Sequence, residues 1–323
     1  MMEQSEPIYR RIAQRQSASL YTEEGAVFDS CSAYQVPEIL FLSHCVPYPP
    51  NKGERIRAYR DLLRLASAGN VHLACFARSP EEEKAAMSLE HCCASIHVEP
   101  LRPRLNLLTA AMRFAAGGCL TTSYYDGAGL RKHVRQLGRV DVTVAYSSAM
   151  AGYAPPTAPV VLDMVDVDSE KWVQYAALRS PGFAYAAEGR RLRRLEATCG
   201  ARAASVLFAT RHEADVFQTF AAHPRSAAME NGVDFEYFDP AAVPEEAPLM
   251  VPRLVFVGEM NYFPNVDAVC RFARDVFPAI RQECDGLQFA IVGRNPTRAV
   301  QRLASLPGVI VTGAVPDVRP YLL

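Results

Sequence analysis

Polar or charged side chains directly follow a short apolar run at four places in this sequence. The first such segment, SHCVPYPPNKGER at residues 43–55, contains Lys52, Gly53 and Arg55, and apolar residues recur at helical spacing from Ile56 onward. A helix N-terminus carries free N–H groups and partial positive charge, so this position suits a phosphate or a polyhydroxylated ligand. A proline-stiffened surface loop explains the same residues equally well, and both interpretations stay open.

The second segment is DMVDVD at residues 163–168, which holds three carboxylates within six positions. Asp163 or Asp166 is expected to bind sugar hydroxyls or to act as a base. Asp168 precedes a helical pattern and is expected to be its N-cap. A metal site is disfavoured, because no second set of ligands follows at a recognisable spacing.

The third and fourth segments begin with glycine, at Gly258 and Gly293. Glycine lets a ligand approach the backbone closely, and Arg294, next to the second glycine, is suited to holding a phosphate. A structural turn explains each glycine taken alone. None of the four segments is a G-x-G-x-x-G turn, which disfavours a nicotinamide dinucleotide site.

His44 is the one histidine within these segments, and Cys45 stands next to it. Adjacent residues of an extended segment point to opposite sides, which disfavours both a thiol–imidazole dyad and a zinc site.

The elements that must position these segments alternate between strand and helix. Capping-box patterns at residues 79–82 and 210–213 predict two helix starts. Such alternation predicts a parallel sheet with helices on both faces, in which ligands bind at the carboxyl ends of the strands. The predicted strands are 38–42, 71–76, 95–98, 140–146, 160–162, 204–208, 254–257, 287–292 and 309–312, and the pattern at 266–280 predicts one helix with an apolar stripe.

Composition and the distribution of prolines predict two α/β domains. Residues 1–36 are polar and aperiodic, residues 37–233 form the first domain, and the proline-rich stretch 234–252 links it to the second at 253–323. The formal net charge of −1 argues against a nucleic-acid partner. The absence of an apolar leader and an odd count of nine cysteines favour a cytoplasmic protein with reduced thiols.

Residues 105–116 are apolar and flanked by Arg102, Arg104 and Arg113. Such a helix either packs in the core or lies on a membrane surface, and the buried arrangement is favoured.

The sequence resembles bacterial sugar transferases associated with exosortase (PEP-CTERM) exopolysaccharide loci, a subgroup similar to glycosyltransferase family 4. The resemblance extends over residues 38–323, and its most specific parts are the proline-rich first segment and the run DVDSEKW. Six segments carry it in order and spacing: SHCVPYPPNKGERIRAY (43–59), VLDMVDVDSEKWVQYA (161–176), ENGVDFEYF (230–238), LVFVGEMNYFPNVDAVCRFARDVFP (254–278), FAIVGRNP (289–296) and PGVIVTGAVPDVRPYL (307–322).

The resemblance implies the GT-B fold, in which two Rossmann-like parallel-sheet domains face a cleft. It also implies retaining, metal-independent transfer of a sugar from a nucleotide sugar to a glycan or lipid-linked acceptor, with no cofactor. Peripheral contact with the inner face of the cytoplasmic membrane would accompany such an acceptor. The residues that match its sites are Lys52, Gly53, Arg55, Gly258 and Arg294 for the donor and its phosphates, His44 and Asn51 on the acceptor side, and Asp166 and Asp163 as catalytic candidates.

Two departures from the family pattern are visible. The loop 261–265 lacks the basic residues usual after the first strand of the second domain, and Lys52, Arg55 and Arg294 are expected to replace them. The family's E-x7-E segment would follow after Leu322, so a truncated second domain is expected. Two alternatives stay open: an inactive fragment or interaction module, and a nucleotide-sugar epimerase of the GT-B fold.

Overall fold

The computed structural model describes residues 35–242 and 252–322. The chain divides into two compact units, Met1–Asn231 and Gly232–Leu323. Most of the predicted extension at 1–36 and the part 243–251 of the predicted linker lie outside the described residues.

The first unit is built on one parallel sheet with the strand order β3-β2-β1-β4-β5-β6-β7. Its strands are β1 (Glu38–Ser43), β2 (Asn70–Ala77), β3 (Ser95–Pro100), β4 (Val142–Tyr146), β5 (Val160–Val165), β6 (Ser205–Phe208) and β7 (Ser226–Ala228). Its helices are α1 (Gly53–Ala66), α2 (Pro80–Met87), α3 (Pro103–Ala115), α4 (Leu120–Tyr124), α5 (Ala128–Gln136), α6 (Asp168–Leu178), α7 (Gly182–Arg202) and α8 (Arg211–Gln218), with a 3-10 segment at Ser148–Tyr153.

Side-chain alternation along β1 explains why helices cover both faces of this sheet. Leu40 and Leu42 enter the core on one face, whereas Ile39 and Phe41 enter the core on the other. Successive side chains of a strand point to opposite faces, and a strand buried on both faces reads as a continuous apolar run. The predicted parallel sheet with two covered faces is confirmed.

Two helix starts follow the predicted capping chemistry. The hydroxyl of Ser79 accepts a hydrogen bond from the N–H of Glu82 at 3.4 Å, at the start of α2. The hydroxyl of Thr210 accepts one from the N–H of Glu213 at 3.2 Å, at the start of α8. Both predicted caps are confirmed.

Helix α3 is not the buried helix that the sequence favoured. Ala110 is its buried residue, while Leu105, Leu107, Leu108 and Met112 are each more than half exposed. The helix packs through one narrow side, because four of its large apolar residues lie on the solvent side. No described helix of the chain is long and apolar enough to cross a membrane.

The second unit contains a three-stranded parallel sheet in the order β10-β9-β8 within its described residues. Its core packs around Phe277, Phe289 and Ile291. The strands are β8 (Arg253–Val257), β9 (Gln288–Val292) and β10 (Val309–Gly313), and the helices are α9 (Phe263–Arg271), α10 (Phe277–Glu283) and α11 (Arg298–Gln301), with 3-10 segments at Pro240–Ala242, Arg302–Ser305 and Arg319–Tyr321.

The single helix predicted at 266–280 is interrupted by a π-helical turn at Phe272–Val276. Pro278 has no N–H to donate to the preceding turn, and a local π turn is a common way to accommodate such a break. The inserted residue shifts the apolar stripe. Phe277 is therefore buried, whereas Val276, an apolar residue within the predicted helix, is 44% exposed.

Candidate functional site

The strand order of the first sheet places a topological switch point between β1 and β4. From β1 the chain proceeds to β2 and β3 on one side, then crosses over to β4 on the other. The loops leaving two such strands diverge and open a crevice at their carboxyl ends, which is where open α/β sheets bind ligands. The residues that follow β1 and β4 are therefore the first candidates for a site.

His44, directly after β1, lies at this switch point against the end of β4. Its ring stacks on the Tyr146 ring with centroids 5.3 Å apart, and Nδ1 lies 3.4 Å from the carbonyl oxygen of Tyr146. The other nitrogen, Nε2, lies 3.4 Å from a carboxylate oxygen of Glu54. The ring thus lies between two oxygen atoms and stacks on one aromatic partner, which fixes its orientation.

Glu54 is at the centre of hydrogen bonds that connect three loops at the same edge of the sheet. Its carboxylate accepts a hydrogen bond from Arg78, which follows β2, at 3.1 Å. Arg78 also donates to the hydroxyl of Tyr125 at 3.1 Å, and the Tyr125 ring lies edge-on to His44. The hydrogen bond from His44, helped by the charge of Arg78, lowers the pKa of Glu54 to about 2, although burial opposes this. Glu54 is therefore a fixed anion between two basic side chains.

The loop from His44 to helix α1 places its basic residues in different environments. Lys52 is the N-cap residue of α1 and Gly53 is its first residue, with open space where a β-carbon would stand. Arg55 is buried and forms an ion pair with Glu82, so its guanidinium faces the protein interior. Asn51 is exposed at the end of the proline-rich stretch. Lys52 and Gly53 thus form the accessible part of this loop.

Asp163, a predicted catalytic carboxylate, is 1% exposed at the end of β5. Arg57 donates to its two oxygens at 2.9 and 3.1 Å, and the N–H of Val165 donates to Oδ1 at 3.1 Å. Burial raises the pKa of Asp163, and the hydrogen bonds from Arg57 act in the opposite direction. Arg57 also donates to the side-chain oxygen of Asn231 at 2.9 Å. Asp163 therefore positions α1 and the end of the first unit rather than presenting a free carboxylate.

Asp166 is the accessible carboxylate of the DMVDVD segment. It forms an ion pair with Lys171 at 2.7 Å, and its side chain is about one-third exposed. The preceding residue, Val165, has a φ of 66°, a conformation that costs a β-branched residue energy and is typical of functional loops. The strained turn directs Asp166 out of the line of the strand.

Asp168 is not the predicted N-cap. Helix α6 begins at Asp168 itself, and the N-cap residue is Val167, whose N–H donates to the carboxylate of Glu213 at 2.6 Å. The neighbouring helix thus supplies the acceptor that Asp168 was expected to provide. The carboxylate of Asp168 accepts instead from Lys171 at 3.1 Å.

In the second unit, Gly258 and Gly293 lie side by side at the carboxyl ends of β8 and β9. A β-carbon on Gly293 would meet the carbonyl oxygen of Gly258 at 1.7 Å, so glycine is required at that position. Glu259 accepts hydrogen bonds from Arg294 at 2.7 Å and from the amide of Asn295 at 2.6 Å. The two predicted loops are therefore brought together, and Arg294 is held at their rim.

Among the described residues, no group of three or more histidine, cysteine, aspartate and glutamate side chains is placed to hold a metal ion. Burial raises the pKa of the Cys45 thiol to about 12, so it is not a thiolate at neutral pH.

The switch-point cluster consists of His44, Glu54, Arg78 and Tyr125. Several of its residues were missing from the sequence-based candidates. Arg78 and Tyr125 join His44 and Glu54 there, and Arg57 holds Asp163. Arg78 directly follows strand β2, so the rule that selected the other loops would also have selected it. Tyr125 and Arg57 follow no strand, and no spacing in the sequence points to them.

Comparisons with known proteins point to sugar transferases. Residues 251–323 match the family model described as glycosyl transferases group 1, and no match was found among curated proteins. The matched stretch contains the Gly258 and Gly293 loops.

Solved structures share the fold at low sequence identity. An Escherichia coli structure described as trehalose-6-phosphate bound with UDP-2-fluoro glucose is 10% identical, with 88% of this chain and 75% of that chain covered and a TM-score of 0.54. A UDP-forming trehalose-phosphate synthase from Burkholderia xenovorans is 12% identical, with 88% and 75% covered and a TM-score of 0.52. A protein from Listeria monocytogenes described as a UDP-N-acetylglucosamine 2-epimerase is 8% identical, with 89% and 71% covered and a TM-score of 0.50. The predicted GT-B class of fold is confirmed.

Proposed function

We propose that this protein transfers a glycosyl group from a nucleotide sugar to an acceptor. The observation that carries the proposal is the match of residues 251–323 to a glycosyltransferase family, because that stretch contains the adjoining loops after β8 and β9. Glycines at the carboxyl ends of parallel strands allow a diphosphate to approach the backbone closely. Arg294, held by Glu259, is suited to bind the phosphate charge there.

The chemistry assigned to these residues is charge stabilisation rather than covalent catalysis. Departure of a nucleoside diphosphate leaves negative charge that cationic side chains and helix N-termini stabilise. Two groups are proposed, each by itself, to bind phosphate charge: Lys52 and Gly53 at the start of α1, and Arg294 after β9. Arg55 is a weaker candidate than the sequence suggested, because Glu82 already neutralises it inside the protein.

The acceptor side is assigned to three residues of the switch-point cluster, His44, Glu54 and Arg78. These side chains combine donors and acceptors in a fixed arrangement, which suits recognition of hydroxyl groups. Asp166 is the carboxylate proposed to approach the acceptor hydroxyl, and Asn51 adds an exposed amide beside the cluster.

The finer features implied by the family resemblance complete the proposal. We expect transfer with retention, independence of metal ions, and a role in exopolysaccharide assembly on a lipid-linked acceptor at the cytoplasmic face of the membrane. Helix α3 supports the lipid part, since it exposes Leu105, Leu108 and Met112 next to Arg113 and carries no acidic residue. An apolar helix face flanked by basic residues is typical of peripheral membrane binding.

The test is a donor screen with the full chain. Purified protein is incubated with UDP-, GDP- and ADP-sugars and membrane-derived lipid acceptors, with and without EDTA, and the nucleoside diphosphate and glycolipid products are measured. Sugar transfer that survives EDTA is expected. Conversion of the donor into an epimeric nucleotide sugar, without transfer, would support a nucleotide-sugar epimerase instead, the activity named for the Listeria structure. Neither product with any donor would contradict both functions.

A further inference from the structure

A pocket of about 250 Å³ lies in the first unit, apart from the loops considered so far. It lies between the C-terminal end of α3, the loop before α5 and the segment after β4. Arg113, Asp126 and Arg131 are its charged lining residues, and hydroxyl side chains of Thr122, Ser123 and Ser148 complete the polar part.

Two guanidinium groups are fixed side by side at this pocket. Arg113 and Arg131 each form an ion pair with the same carboxylate, that of Asp126. The guanidinium of Arg131 also lies over the Tyr153 ring, 4.8 Å from its centroid. One carboxylate between two guanidinium groups leaves one net positive charge, and each planar guanidinium has more N–H donors than Asp126 can accept. The pocket is therefore preorganised for an anion.

Ser148 provides an independent indication of a ligand. The residue is 3% exposed and lines the pocket, yet its hydroxyl oxygen has no hydrogen-bond partner among the described residues. A buried unpaired hydroxyl is destabilising, and such groups in native proteins are normally satisfied. The preceding residue, Ser147, has a φ of 83°, so the turn that presents this hydroxyl is itself strained. A ligand oxygen in the pocket would satisfy the hydroxyl.

Helix α3, which supplies Arg113 to the pocket, also carries an exposed apolar side. Leu105, Leu108 and Met112 recur three and four residues apart, so they share one side of the helix, and all are more than half exposed. Arg113 follows Met112 directly and lines the pocket. At the C-terminal end of α3, Arg191 donates hydrogen bonds to the carbonyl oxygens of Phe114 and Gly118, at 2.7 and 2.8 Å. These carbonyl groups are therefore already paired within the protein. One helix thus carries both an arginine of the pocket and an exposed apolar strip.

We infer that this pocket binds the phosphate group of a lipid phosphate whose hydrocarbon chain lies along Leu105, Leu108 and Met112. The phosphate accepts hydrogen bonds from Arg113, Arg131 and Ser148. A free inorganic phosphate would use the pocket but not the strip, and a neutral lipid would use the strip but not the pocket. The inference rests on the proposed function in one respect, that the lipid phosphate is the anchor of the acceptor.

The first test is calorimetric titration of the full chain with three probes: octyl phosphate, inorganic phosphate and octanol. Octyl phosphate is expected to bind at least about tenfold more tightly than either of the others, because it alone engages both the guanidinium pair and the apolar strip. Equal binding of inorganic phosphate would overturn the assignment to a lipid, and equal binding of octanol would overturn the anion pocket.

Variants then locate the site. Arg131→Gln is expected to weaken octyl phosphate about tenfold, whereas Arg139→Gln, which alters an exposed arginine paired with Asp141, should leave it unchanged. Ser148→Ala should weaken binding without lowering the melting temperature, because its hydroxyl has no protein partner to lose. The pair Leu105→Ser with Leu108→Ser should weaken octyl phosphate alone. Wild-type affinity in Arg131→Gln and Ser148→Ala together would refute the pocket.

Two further results would distinguish an error in the phosphate pocket from an error in the proposed transferase activity. If sugar transfer occurs but Arg131→Gln leaves the KM for a lipid phosphate acceptor unchanged, the pocket is wrong and the transferase stands. If octyl phosphate binds as expected but no donor supports transfer, the pocket stands and the transferase is wrong.

Discussion

At the scale of single residues, the acidic side chains near the switch point serve mainly to hold other groups. Asp163 is fully engaged by Arg57, and Glu54 by His44 and Arg78. Lys52, by contrast, forms no ion pair within the described part of the chain and stands at the N-terminus of α1. This cation is therefore the basic side chain of the loop best placed to respond to a ligand.

Removal of the Lys52 charge should affect catalysis more than folding. Lys52→Ala is expected to lower kcat with a loss of transition-state stabilisation on the order of 2–4 kcal/mol, and Arg294→Ala likewise, if both contact the departing diphosphate. Steady-state kinetics with the donor identified by screening is the measurement. Lys84→Ala, an exposed lysine of α2, is the matched control. Unchanged kcat in both test variants would contradict their assignment to the diphosphate.

Glu196 makes the stability of the first unit depend on pH. It is buried in α7, and burial raises its pKa to about 7, although Ser169 donates two hydrogen bonds to it. A raised pKa in the folded state means that its stabilisation is complete below about 4.5 and is lost as the pH rises through 7, by an amount on the order of 3 kcal/mol. Glu196→Gln should flatten this dependence in denaturant unfolding between these pH values, and an unaltered slope would show that Glu196 is ionised without cost.

Some of these site residues could be identified from the sequence, and others could not. His44, Lys52, Gly53 and Asp166 lie on loops at strand ends, so the general rule for open sheets identified them. Arg57 could not be recognised, because its partner Asp163 is more than one hundred positions away and only the fold brings them together.

At the scale of elements, most strands and two of the three expected helix caps were predictable, whereas the exposure of α3 was not. Strand β7 was missed because its three residues, SAA, include no β-branched or aromatic side chain, and among the described strands it pairs with β6 alone. The caps of α2 and α8 depend on neighbouring residues and were predicted correctly. Burial of α3 depends on which elements pack against it, which composition does not specify.

A substitution in the exposed strip of α3 is predicted to weaken membrane binding while leaving the stability of the protein nearly unchanged. Leu108→Ser should change the free energy of unfolding by less than about 0.5 kcal/mol, because Leu108 is already 58% exposed. Leu130→Ala, in the buried core under α5, should cost about 2–5 kcal/mol. Co-sedimentation with anionic vesicles should fall for Leu108→Ser and be retained by Leu130→Ala at a temperature where that variant is folded. Full vesicle binding by Leu108→Ser would assign the membrane contact elsewhere.

At the scale of the whole molecule, the two units have separate apolar cores of very different size. The first unit packs helices on both faces of seven strands, while the described core of the second surrounds three strands. No residue belongs to a core cluster of both units among those described. Because buried apolar area supplies most of the stability, the second unit is expected to unfold at lower denaturant concentration than the first.

The single tryptophan makes this difference measurable. Trp172 lies in α6 of the first unit, so its fluorescence reports that unit alone, whereas far-ultraviolet circular dichroism reports both. We expect the dichroism signal to begin its transition before the fluorescence signal. Phe289→Ala, which removes a buried ring of the second unit, should move only the early part of the dichroism curve, and Leu207→Ala should move the fluorescence transition. Coincident transitions that shift together in both variants would mean that the two units unfold as one cooperative body, in which the small sheet is stabilised by the large one.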